Sequence, residues 1–135
     1  MVKEFRYYGY TLEELKKMSI QEFAKISNAR VRRSLLRGLD EQKRKFLEKL
    51  MKNPDKFHKT HLRDMIILPQ MVGCKIGVHK GGAKPGSSEK WVSINIKPEM
   101  IGRRLGEFAH STQYVKHSAP GIGASRGTKH VASKK

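Results

Sequence analysis

Residues 97–108 read Lys97-Pro98-Glu99-Met100-Ile101-Gly102-Arg103-Arg104-Leu105-Gly106-Glu107-Phe108, and how they fold decides the architecture. Pro98 suits the first turn of a helix, where its missing N–H has no partner to lose. Glu99 beside it places negative charge at the positive end of the helix dipole. Ile101, Leu105 and Phe108 follow at i, i+4 and i+7, which predicts a helix with one apolar stripe. Arg103 and Arg104 fall on its other side. Gly102 and Gly106 each cost about 1 kcal/mol of helix stability relative to Ala, a cost that close approach of another backbone would offset.

Upstream, Cys74, Ile76 and Val78 alternate with Lys75, Gly77 and His79, and Val92, Ile94 and Ile96 alternate with Ser93, Asn95 and Lys97. This period-two pattern predicts two half-buried antiparallel strands. Residues 80–90, rich in Gly and Ser, form the loop between them, longer than a two-residue turn. Its Lys80, Lys84 and Lys90 can reach a nucleic-acid groove. The apolar run Met65-Ile66-Ile67-Leu68, stopped by Pro69, opens the β region. The 97–108 helix is expected to pack on the apolar face of the sheet. Cys74, the single cysteine, reads as a small buried hydrophobe.

The N-terminal part reads as helical. Thr11 with Glu14 and Ser19 with Glu22 match the capping-box pattern, predicting two short helices with Leu12, Leu15, Ile20, Phe23 and Ala24 inward. Arg30-Val31-Arg32-Arg33-Ser34-Leu35-Leu36-Arg37 is a third helix. Its Val31 and Leu35 make an apolar stripe, and Arg30, Arg33 and Arg37 share another face. No acidic residue stands near them in sequence, so phosphate contact explains these arginines better than a solvated ion-pair face, because a guanidinium fork matches phosphate oxygens. Asp40 is a plausible N-cap for a helix reaching Lys52, with Phe46, Leu47, Leu50 and Met51 on its buried side. Phe5, Tyr7, Tyr8 and Tyr10 either cover an apolar surface or stack on bases, the former being favoured.

Charge dominates the composition. The 135 residues carry 29 Lys and Arg against 12 Asp and Glu, a net charge of +17, which implies a polyanionic partner. A membrane surface would call for a basic helix with a broad aromatic face or a lipid anchor, and neither is present. No signal-peptide core or membrane-length apolar run occurs, so a soluble intracellular protein is expected. Residues 110–135 hold no acidic residue, and read as a basic, Gly-containing tail that orders against nucleic acid. Gly121, Gly123 and Gly127 do not match the dinucleotide or P-loop spacing. His58 and His61 are spaced as a helical pair but lack a third ligand, so neither metal nor cofactor is expected.

The expected fold is α+β: N-terminal helices, a small antiparallel sheet with one packed C-terminal helix, and a flexible basic tail. The organisation is a helical region over 1–60, an RNA-binding α+β core over 61–109, and the tail over 110–135.

The segment Pro98-Glu-Met-Ile-Gly-x-x-Leu-Gly-Glu-Phe108, followed by Val115-Lys-His-Ser-Ala-Pro-Gly-Ile-Gly-Ala124, resembles ribosomal protein nineteen of the small subunit. Leu68-Pro69-x-Met71-Val72-Gly73 and Glu89-Lys90-Trp91-Val92 extend the resemblance in order and spacing. The helical N-terminal extension is similar to the archaeal and eukaryotic branch. The resemblance implies a structural component of the small-subunit head that binds the 3′ domain of the rRNA. It implies ribosomal protein thirteen as a neighbour and a C-terminal tail directed toward the tRNA-binding face. By position it implies Arg103, Lys116, His117, Arg126 and Lys129 as residues near RNA, with Arg103 standing where many relatives have His. Lys75, Arg104 and His110 complete the candidate contacts, beside Arg30, Arg32, Arg33, Arg37, Lys80 and Lys84. A cytoplasmic ribosomal location follows. A nuclease using His117 and Lys116 is disfavoured, since acid–base work needs positioned groups of tuned pKa. The alternative is a general architectural nucleic-acid-binding protein.

Overall fold

The computed structural model describes residues 4–82 and 90–113. A short hairpin, β1 (Arg6–Tyr7) and β2 (Tyr10–Thr11), leads into four helices: α1 (Leu12–Lys17), α2 (Ile20–Ile26), α3 (Ala29–Leu36) and α4 (Glu41–Lys52). A three-stranded sheet follows, built from β3 (His58–Thr60), β4 (Lys75–His79) and β5 (Trp91–Asn95). The class is α+β, as expected.

Local chemistry accounts for the helices. The Thr11 and Ser19 hydroxyls accept from the Glu14 and Glu22 N–H groups, and those carboxylates accept in return from the Thr11 and Ser19 N–H groups, both at 2.8 Å. Each box satisfies backbone donors that the first helical turn leaves open. Asn28 caps α3 by accepting from the Val31 N–H at 3.0 Å, and Asp40 caps α4. Between them Gly38 takes φ +89°, a left-handed turn that ends α3.

The sheet differs from expectation in one respect. β4 and β5 are antiparallel, with His79 opposite Trp91 and Ile76 opposite Ile94. β3, however, joins β4 in parallel, Thr60 opposite Val78, so the sheet is mixed. Three residues with no apolar alternation carried no strand signal.

The larger correction concerns residues 97–108, which are not an α-helix. Pro98–Met100 and Leu105–Phe108 are two separate 3-10 turns. Between them the chain turns, the Arg103 N–H donating to the Met100 carbonyl at 3.2 Å, and residues 102–105 pair antiparallel with the apolar run at 65–67. The Ile67 N–H donates to the Arg103 carbonyl at 2.8 Å, Gly102 N–H to Ile67 at 3.0 Å, and Leu105 N–H to Met65 at 3.0 Å. Backbone groups that a helix would pair internally are thus given to a neighbouring segment. Gly102 sits at φ +79°, a conformation L side chains rarely adopt, and the reversal happens there. The apolar stripe still serves the core: Ile101 and Leu105 are buried and Phe108 packs against them.

One cluster of buried side chains runs from Leu15 and Phe23 through Leu35, Leu50, Met65, Ile67 and Ile76 to Leu105. Cys74 lies within it, and burial raises its thiol pKa.

Candidate nucleic-acid interface

Helix α3 buries Val31 and Leu35 and leaves Arg30, Arg33 and, at its C-cap, Arg37 exposed. Residues three and seven apart lie near one another on a helix surface. The antiparallel pairing of 102–105 with 65–67 brings Arg104 to the same place, with Arg104 bridged to Ile66. Arg30, Arg33, Ser34, Arg37 and Arg104 line one open cleft. The Ser34 hydroxyl turns inward, donating to the Arg30 carbonyl at 3.0 Å. Among the described residues, none of these four arginines is ion-paired. Guanidinium groups stay protonated at any working pH, so the cleft supplies fixed positive charge and forked donors rather than proton transfer.

The other expected contacts are distributed differently. Arg32 points away from the cleft and donates to the Ser27 carbonyl at 3.1 Å, closing the end of α2. Arg103 is exposed and pairs with Glu107 at 3.6 Å. Lys75 is exposed at the start of β4. Lys80 is fastened through its backbone, donating to Lys90 at 2.9 Å and accepting from Thr112 at 2.8 Å. His110 is exposed. Lys84, Lys116, His117, Arg126 and Lys129 lie outside the described residues.

Three features carried no local signal in the sequence. Arg63 donates to the His79 carbonyl at 2.7 Å, to Gly106 at 3.1 Å and to Ala109, joining the end of β4 to the last turn. Lys43 pairs with Asp64 across the fold, and that contact holds the Asp64 carboxyl below its usual pKa. The rings of His61, His79 and Trp91 meet at centroid distances of 4.5–5.0 Å. His58, the other histidine of the helical spacing, instead contacts the Asn53 carbonyl at 2.8 Å. Among the described residues no group of three or more His, Cys, Asp or Glu is arranged to hold a metal ion. Nor is any described helix long and apolar enough to cross a membrane.

Fold and cleft define a strongly basic α+β protein suited to holding a polyanion. Residues 27–117 match the family described as Ribosomal protein S19, and the chain belongs to that family. Its members are structural, rRNA-binding constituents of the small ribosomal subunit and serve translation. The match takes in α3, α4, the three-stranded sheet and the 102–105 segment paired with 65–67, so the cleft lies within it.

Proposed function

We propose that this protein scaffolds the head of the small subunit by binding the 3′ domain of its rRNA. The observation that carries this reading is the convergence of Arg30, Arg33 and Arg37 with Arg104, residues far apart in sequence, on one cleft without an acidic lining residue. Phosphate contacts of this type fix position and register, while the rigid core matches RNA shape. Lys75, Lys80, Lys84, Arg103 and His110 are further rRNA contacts. Arg32 contributes by holding the end of α2 against α3.

The basic segment beyond residue 113 carries Lys116, His117, Arg126 and Lys129 toward the tRNA-binding face. Ribosomal protein thirteen is its protein neighbour. Hairpin β1–β2 with α1 and α2 precedes the matched residues and forms the N-terminal extension of the archaeal and eukaryotic branch. The place of action is the cytoplasmic ribosome, and the role is non-catalytic.

The test is binding of the full chain to head-domain rRNA fragments with excess duplex DNA present. Retention of a defined head site supports the reading. Equal affinity for any polyanion reduces the protein to a general architectural nucleic-acid binder.

A further inference from the structure

The arginine cleft leaves a second surface unused, the face of the β3–β4–β5 sheet turned away from the core. Thr60, Ile76, Val78 and Ile94 point into the core, so their strand neighbours point out. The cross-strand register then places Lys59, Gly77 and Ser93 in one outward row. His79 and Trp91 form the next row, and His61, one residue beyond β3, completes it. The His61 ring is 4.5 Å from His79 and 4.9 Å from Trp91, and His79 is 5.0 Å from Trp91. Lys59 Nζ lies 5.6 Å from the Trp91 ring centre. Phe57 covers Gly77, where an added Cβ would stand 2.5 Å from the ring, and yet Phe57 itself is 41% exposed.

Aromatic rings at the end of a small sheet, with Lys59 in the neighbouring row, Lys75 at the far end of the same face and no Asp or Glu in the three strands, have a particular chemistry. Their π-faces suit flat aromatic partners, and the lysines suit a strand of phosphates. A double helix offers no free base faces. We infer that this sheet face is a stacking platform for unpaired RNA bases, with Trp91 and His61 receiving the bases and Lys59 and Lys75 following the backbone. The inference rests on the rRNA reading for its ligand class but uses a surface separate from the arginine cleft.

Trp91 is the single tryptophan, so its fluorescence reports the platform directly. The full chain is titrated with an oligoadenylate of about eight nucleotides and with an RNA duplex of equal strand length, following Trp91 emission and, separately, anisotropy of the labelled RNA. Saturable quenching by the single strand, absent with the duplex, is expected. Trp91→Ala and His61→Ala weaken oligoadenylate binding, the former by about tenfold, while Trp91→Phe keeps it near the native value. Should Trp91→Ala fail to fold, the exposed His61→Ala reads the same loss. Binding of the oligoadenylate without quenching, equal quenching by duplex, unchanged affinity in both alanine variants, or no oligoadenylate binding each overturns the platform. Head-fragment affinity is measured alongside. Arg33→Ala lowers that affinity and leaves the quenching in place, so the two readings fail separately.

Discussion

Arg63 and Gly106 hold each other from both ends: the Gly106 N–H donates to the Arg63 carbonyl at 2.8 Å, and the Arg63 guanidinium donates back to the Gly106 carbonyl at 3.1 Å. The same guanidinium reaches the carbonyls of His79 and Ala109. A Cβ on Gly106 would stand 3.0 Å from the Arg63 carbonyl oxygen, so any side chain there presses on this pairing. This clamp fixes the segment that carries Arg104 into the cleft.

Arg63→Ala therefore leaves several partly buried carbonyls without a charged donor. The expected loss is about 2–3 kcal/mol of folding free energy, read from denaturant unfolding. Arg63→Lys restores only part of it, because one ammonium cannot reproduce a planar fork. Equal stability of both variants and the native chain would remove the clamp from the account.

Gly102→Ala meets two obstacles. The backbone is left-handed at φ +79°, and a Cβ would lie 2.6 Å from the Tyr7 hydroxyl. The first costs about 1–2 kcal/mol, and the clash adds to it. Tyr7→Phe in the same chain relieves the clash but not the backbone strain. A double-mutant cycle by thermal or urea unfolding should show favourable coupling between the two positions. Strict additivity would mean that the N-terminal hairpin does not pack on Gly102 in solution.

Arg32 and Arg33 are neighbours with different tasks. Arg32→Ala removes the donor on the Ser27 carbonyl and is expected to lower stability by about 0.5–1.5 kcal/mol. Arg33→Ala touches an exposed cleft side chain and should change stability by less than about 0.5 kcal/mol. Unfolding curves of the two purified variants decide this; the reverse order contradicts the assignment.

Acid should weaken the fold. Asp64 is held below its usual pKa by Lys43, and Glu14 and Glu22 by the backbone and hydroxyl donors of their capping boxes. A carboxylate with a lowered folded pKa stabilises above the unfolded value, about 4, and that contribution is lost as pH falls through the folded value. Urea midpoints measured from about pH 6 down to about pH 3 should fall. Asp64→Asn should flatten the fall, because its share is already absent. An equal fall in that variant excludes the Lys43–Asp64 pair as a source.

Much of this was legible in the chain because the signals are local. Thr11 with Glu14, Ser19 with Glu22 and Asp40 before Glu41 are short-range hydrogen-bonding patterns, and each opens the helix it implies. The alternation at Cys74, Ile76 and Val78 reports a buried sheet face directly. Residues 97–108 misled because two 3-10 turns around a kink present Ile101 and Leu105 to the core as a helix would. The glycines did signal something unusual. Gly106 does meet another backbone, and Gly102 marks a positive φ in the turn between the two 3-10 elements rather than a close-packed helix. The parallel strand β3, the Arg63 clamp and the arrival of Arg104 beside α3 depend on contacts between distant residues, which no local pattern encodes.

The most direct measurement of the central claim is the salt dependence of binding to a head-domain rRNA fragment. If about 8 phosphates are neutralised, log K falls against log salt with a slope of about −6 to −7. Arg33→Ala and Arg104→Ala should each weaken binding and flatten that slope by about one unit. A slope unchanged in both variants, with binding intact, would mean that the arginine cleft does not face the RNA.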